Sequence, residues 1–252
     1  ASQTVIRPEL RELSALNIYD FELNASVAGN PSLKRTKITN TDIRYELYPS
    51  AGELFTVGVF YKNFENPIES IFNEGSGGAS LFSFQNVSKA TAFGFEVEGR
   101  KKLTTRFTLQ ANGSYINSKT KDAALNVDRP LQGQSPYLIN TGLLYDVVEK
   151  GFNMTVLFNQ VGKRIYLVGD LQAGAATPDV FENPRALVDF QISKKFAENK
   201  AEIRFTISDI LNQRQIFYQN NNSNTEYSAG SDAIRFSRKF GTTFGVTLNY
   251  SL

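Results

Sequence analysis

The chain has 252 residues, 41% of them hydrophobic and 21% charged, enough to bury a sizeable core and too apolar for a disordered segment. With 27 basic against 25 acidic side chains the net charge is +2, and no nucleic-acid partner is expected, because such binding depends on clustered Lys and Arg. Cysteine and histidine are both absent, which excludes disulfides, thiolate metal sites and every catalytic arrangement built on imidazole; no other catalytic pair and no cofactor motif stands out, so an enzyme is not expected.

In chain order, "SQTVI" reads as the end of a strand running into Pro8, and "PELRELSAL" as a short turn of helix with Pro8 at its first position and Leu10, Leu13 and Leu16 on one side. Beyond them the dominant signal is period two. It predicts nine long strands, roughly 34–48, 53–66, 83–100, 105–118, 135–148, 152–168, 184–196, 200–217 and 234–252, besides the N-terminal stub. Along 106–115, Phe107, Leu109, Ala111, Gly113 and Tyr115 oppose Arg106, Thr108, Gln110, Asn112 and Ser114. The same split sets Phe93, Phe95 and Val97 against Glu96, Glu98 and Arg100, and Phe244, Val246, Leu248 and Tyr250 against Thr243, Gly245, Thr247 and Asn249. One face of the predicted sheet is apolar and the other is wet, with Arg35, Arg44, Glu202 and Arg204 also on the wet side, where cross-strand ion pairing is the expectation.

Connections alternate strictly in length. Short polar turns fall at 48–53, 101–105, 148–151 and 197–200; long polar segments fall at 8–33, 66–82, 119–135, 169–183 and 219–233. An up-and-down antiparallel sheet gives this alternation when all tight turns lie at one end and all long loops at the other. No run of about 18 apolar residues is present to make a spanning helix, but a spanning strand needs only about 9–11 residues with one apolar face. A soluble sandwich also alternates, yet its strands are shorter and its loops lack this asymmetry. Aromatic clusters near strand ends, "YELYP", "FYKNF", "YDVVEKGF" and "IFYQ", match interfacial girdles. The fold expected is therefore all-β: an up-and-down antiparallel transmembrane β-barrel. Counting back from a periplasmic final strand leaves the stub as an upward strand without its lower half, so residues 1–252 are expected to be about ten strands from the C-terminal part of a larger barrel.

Several segments carry a family resemblance: "SQTVIRPELREL", "IYDFELNASVAGNPSL", "TDIRYELYPSAGELFTVGVFYKNFENPIE", "RPLQGQSPYLINTGLLYD" and "ISDILNQR". In this order they span essentially the whole chain, which resembles the C-terminal barrel region of TonB-dependent outer-membrane receptors, particularly the Bacteroidetes-type group. The resemblance implies a 22-stranded barrel in the bacterial outer membrane, an N-terminal plug in its lumen, and an energy-coupling box that engages an inner-membrane complex. Neither plug nor box is visible in 1–252. It also implies active import of a scarce solute: a siderophore, a corrinoid, a glycan or a peptide. The alternative is a complete small barrel acting as a passive pore or adhesin.

Candidate ligand contacts are Arg129, Gln132, Gln134 and Tyr137, which sit where a long loop descends into a strand and carry hydrogen-bonding side chains. In the strand that follows, Tyr137, Ile139, Leu143 and Tyr145 should face lipid and Asn140 and Asp146 the lumen, leaving Leu138 and Leu144 as misfits in a polar interior. "NEGSGGAS" reads as a flexible external loop, since it lacks the context of a phosphate-binding loop. Asp122, Asp128, Asp170, Asp179 and Glu182 read as solvated loop carboxylates, because their spacing matches no calcium loop.

Overall fold

The computed structural model describes every residue except 22–24, 75–79, 123–126, 170–176, 221–225 and 251–252. A wall of ten antiparallel strands follows chain order: β1 (Ser2–Ile6), β4 (Thr36–Leu47), β5 (Leu54–Glu65), β8 (Lys89–Lys102), β9 (Phe107–Asp122), β11 (Tyr137–Val147), β12 (Phe152–Val161), β15 (Arg185–Phe196), β16 (Ala201–Ser208) and β19 (Thr243–Tyr250). A short strand, β10 (Val127–Arg129), adds to β9. The wall is open. Among the described residues β1 and β19 stand at opposite ends of the ladder and pair only with β4 and β16. It is thus a segment of a larger barrel, since a transmembrane sheet must close to satisfy its edges.

Register fixes the two faces. Tyr45, Val57, Val97, Gly113 and Ile139 lie in one row across five strands, and Leu109, Leu143, Val156, Phe190, Ile207 and Phe244 in another. These rows form the outward face, where Val246 is 70% exposed and Ile43 76%, an exposure that only lipid makes favourable. The short turns close β4 to β5, β8 to β9, β11 to β12 and β15 to β16, all at one end. At that end the rings of Phe107, Tyr145 and Phe152 cluster, with centroids 4.7 and 6.1 Å apart; towards the other, Phe95 meets Tyr115 at 5.7 Å. The cluster at the turn end includes Tyr145 and Phe152 of the predicted girdle segment 145–152, whereas Phe95 and Tyr115 lie near the middle of β8 and β9.

The long segments are where expectation and structure part. Together with the upper ends of several predicted strands they carry a second, eight-stranded sheet, in the order β18 (Ala233–Arg238), β17 (Gln215–Gln219), β14 (Val180–Glu182), β13 (Arg164–Gly169), β6 (Ile68–Glu74), β7 (Ser80–Asn86), β3 (Ala25–Ala28) and β2 (Asn17–Asp20). Several predicted long strands are therefore two. Residues 152–168 divide at Gly162 and Lys163 into β12 and β13, 200–217 divide into β16 and β17, and 234–252 divide into β18 and β19. Pro67 lies between β5 and β6 and Pro184 between β14 and β15, where a missing N–H interrupts the ladder.

The hydrophobic core lies in this upper sheet. Ala25, Val27, Phe72, Phe82, Leu167, Val180 and Phe217 form one buried cluster, with Phe84, Tyr166 and Phe236 packed against it. Phe217 and Tyr218, read from sequence as girdle aromatics, are 1% and 0% exposed, and belong to this core region instead. Two parallel pairings, β6 with β13 and β3 with β7, join segments far apart in the chain. A single helical turn, α1 (Leu10–Leu13), is capped by Glu9, whose N–H donates to Glu12 Oε2 at 2.8 Å. Pro8 precedes that cap rather than opening the helix, and Leu10 and Leu16 are exposed rather than packed.

Candidate functional site

Alternation places polar side chains on the inward face of the wall. Asn112, Asn140 and Asn159 stand side by side on three adjacent strands: Asn140 Nδ2 donates to Asn112 Oδ1 at 2.7 Å, and Asn159 Nδ2 donates to Asn140 Oδ1. The guanidinium of Arg44 meets Glu46 at 2.7 Å and Glu98 at 3.6 Å, and Arg204 meets Glu202 at 3.0 Å. Arg44–Glu98 crosses strands as expected of the wet face, whereas Arg44–Glu46 and Arg204–Glu202 run along single strands; being partly exposed, each adds little stability. Leu144 is accommodated locally. A Cβ on Gly142 would lie 3.0 Å from Leu157 and 3.7 Å from Leu144, so the bare glycine leaves room for both leucines to pack over it on the inward face. A cavity of about 540 Å³ lies against the inward wall, lined by Asn40, Asp42, Arg44, Lys62, Glu96 and Gln134 among others.

A second cavity, of about 590 Å³, opens where the wall meets the upper sheet. Its lining includes Tyr115, Gln134, Tyr137, Lys163, Arg164 and Phe181. Tyr137 gains its position from Gly162, where a Cβ would come within 2.7 Å of the Tyr137 ring. Lys163 Nζ sits 4.2 Å from the Phe181 ring centroid and 5.7 Å from that of Tyr218, a cation over aromatic faces. Burial pulls the Lys163 pKa down, opposed by the carboxylate of Asp232. Burial also pushes the Tyr218 phenol up to about 12, assisted by Asp232 and Glu226, so it stays protonated. Arg164 is held by Glu182 at 2.6 Å, whose other oxygen accepts from Gln215 Nε2 at 2.7 Å. Aromatic faces, amides and cations around one cavity can hold a polar organic solute by stacking and hydrogen bonding.

The four residues singled out in the sequence fall into two pairs. Gln134 and Tyr137 line the upper cavity, Tyr137 from the outward side of β11 that was expected of it, opposite Tyr115. Arg129 and Gln132 are turned into the protein. Arg129 binds Glu69 through two contacts of 2.9 and 2.6 Å, and Gln132 bonds to the backbone of Ser70 and Tyr166. Lys163, Tyr115 and Phe181 were not singled out: Lys163 and Tyr115 fall inside strands predicted as continuous, and Phe181 in a predicted long polar segment. Among the carboxylates, Asp128 pairs with Lys119 at 2.6 Å, Asp179 accepts from Gly169 N at 2.9 Å and Glu182 holds Arg164. Asp170, the Asp122 side chain and the glycines of "NEGSGGAS" lie outside the described residues. No group of acidic side chains among the described residues is arranged to hold a metal ion.

The comparisons agree with this geometry. The fold is similar to that of the ferric enterobactin receptor of Pseudomonas aeruginosa, with 17% identity and a TM-score of 0.62, over 99% of this chain and 37% of that one. It is similar to a siderophore receptor of Acinetobacter baumannii, with 15% identity and a TM-score of 0.57, over 90% of this chain and 33% of that one. It is also similar to a copper transporter, with 15% identity and a TM-score of 0.65, over 99% of this chain and 36% of that one. The chain thus spans about a third of each of these structures, resembling the barrel portion of TonB-dependent receptors. No curated protein matches it in sequence. Residues 1–250 match the outer membrane protein beta-barrel family, and the chain belongs to that family, as an antiparallel wall segment of the bacterial outer membrane.

Proposed function

We propose that this chain is the C-terminal barrel portion of a TonB-dependent receptor of the Bacteroidetes type, which imports a scarce solute across the outer membrane. In that reading the complete barrel has 22 strands, an N-terminal plug fills the lumen against the inward face, and energy comes from an inner-membrane complex engaged through the plug region. One observation carries the reading: an open ten-strand wall, bearing an inward polar face and a folded upper sheet, that aligns with receptor barrels along nearly its whole length. A complete small pore would need β1 to pair with β19, and these strands lie at opposite ends of the ladder.

Gln134 and Tyr137 act as ligand contacts at the upper cavity, while Arg129 and Gln132 serve the site by fixing the segment that carries them. The solute belongs to the polar organic nutrients, with ferric siderophore, corrinoid, glycan and peptide as the classes to separate. Growth and uptake assays on a strain deleted for the whole receptor, with each class offered in turn, test the reading. Selective loss of one uptake, restored by the intact gene, supports it; unchanged uptake of all four removes it.

A further inference from the structure

Ile116 and Gln134 line both cavities and Pro130 lines the upper one, so the stretch Arg129–Gln134, lying beside β9, reaches the boundary between the upper cavity and the lumen. Its attachment is unusual. Among the described residues β6 and β13 pair in parallel at Ile71 with Val168 and Phe72 with Gly169. One residue earlier the rungs are supplied by a side chain. The carboxamide of Gln132 accepts from Ser70 N at 2.7 Å and donates to Ser70 O and Tyr166 O, each at 2.9 Å. Beside it Gly133 N donates to Ile165 O at 2.8 Å, and Leu131 N donates to Ser118 Oγ at 3.1 Å.

The second attachment is the ion pair of Arg129 with Glu69, whose side chains are 13% and 0% exposed. A buried ion pair is a poor source of stability, because desolvation offsets the attraction, and apolar side chains of similar size serve a static core as well or better. What a buried charge pair and a side-chain rung offer is an attachment that can be exchanged as a unit. Pro130 has no N–H to bind it to a neighbouring strand; Pro136, two residues beyond the stretch, has none either and is joined to β9 by its carbonyl, which accepts from Ile116 N at 2.9 Å.

We propose that Arg129–Gln134 is a latch: the Glu69–Arg129 pair and the Gln132 carboxamide hold a partition closed between the upper cavity and the lumen, and their release joins the two. A polar solute bonded to Gln134 in the upper cavity pulls on the stretch and so competes with the hold of Glu69 and the Ser70 backbone on Arg129 and Gln132. Arg129 and Gln132 are positioning residues here. The latch rests on the outer-membrane placement of the wall but not on which solute is carried.

The test uses the full-length receptor in cells, with Asn40→Cys as reporter in the lumen cavity and Leu10→Cys, which is 88% exposed, as external control. Residues 1–252 contain no cysteine of their own, and any elsewhere in the receptor are first replaced. A membrane-impermeant maleimide is added from outside. Gln132→Ala, and independently the pair Glu69→Gln with Arg129→Gln, should speed labelling at Asn40→Cys by about tenfold or more, with Leu10→Cys unchanged. Unchanged labelling at Asn40→Cys in both backgrounds, in receptor that keeps heat-modifiable migration, overturns the latch. Should neither variant assemble, hydrogen exchange in the unaltered receptor decides. A single release event requires the amides of Ser70 and Gly133 to share one protection factor, and separate values refute it. Neither readout needs transport, so failure of the latch and failure of the transport reading are distinguishable.

Discussion

At the scale of single residues, two positions hold conformations or charges that the surroundings penalise, and each gives a measurable consequence. Burial pushes the Asp179 carboxyl above the ordinary carboxylate range, against the opposing effects of the Gly169 N–H and the Arg129 charge. A raised folded-state pKa means the folded protein binds this proton more tightly than the unfolded chain. The stability it contributes is therefore complete below the ordinary value of about 3.9 and is lost as pH rises through the raised one. Asp179→Asn keeps an oxygen for Gly169 N and stays neutral, so its melting temperature should gain on the parent's as pH climbs from about 4 towards 7. A gap that stays flat over that range would show that Asp179 is not desolvated. The turn at 197–200 offers the second case. Ala197, Glu198 and Asn199 have φ of 50, 55 and 68°, and only Asn tolerates that left-handed region readily. Glu198→Gly should raise stability by about 1 kcal/mol in urea titrations, whereas Asn199→Gly should change it by much less.

Elements divide the chain into a wall and an upper sheet with different sources of stability. The wall relies on lipid outside and on hydrogen-bonded ladders, while the upper sheet has the apolar core, with Phe217 stacked on Phe236 at 4.3 Å and beside Tyr166 at 4.5 Å. Phe217→Ala should remove about 3–5 kcal/mol from the upper sheet alone. Hydrogen exchange should then show lost protection in β13, β14, β17 and β18 with β11, β12 and β15 intact; equal losses in both sets would make the two sheets one cooperative unit. This division also explains what could be read in the sequence. Wall strands announce themselves because one face meets lipid and the other water, so Phe95 and Glu96, neighbours in sequence, obey opposite rules. β13 follows β12 after only Gly162 and Lys163, so period two runs through the bend and reads as one strand. The parallel contact of β13 with β6 joins residues almost a hundred positions apart and leaves no local mark. The same holds at the site: Gln134 and Tyr137 are legible from their place at the foot of a loop, whereas Glu69, which fixes Arg129, lies 60 residues away.

For the whole molecule, the decisive asymmetry is between the two faces of the wall. In water, a sheet with Ile43, Val246 and Leu248 66% or more exposed would bind its own copies; in a bilayer the same face is satisfied, and the lumen face carries the polar work. Val156 and Thr155, adjacent at the middle of β12, test this directly. Val156 shares the outward row with Leu143 and Phe190, and Thr155 the inward row with Leu144 and Gln191. Val156→Arg places a cation against hydrocarbon and should cost about 2–4 kcal/mol, while Thr155→Arg, facing the lumen, should cost less than about 1 kcal/mol. Reversible folding of the full-length receptor into lipid vesicles measures both on one scale. The order Val156→Arg much worse than Thr155→Arg follows from a lipid-facing outward row, and the reverse order would require the apolar rows to face the interior, as in a soluble barrel.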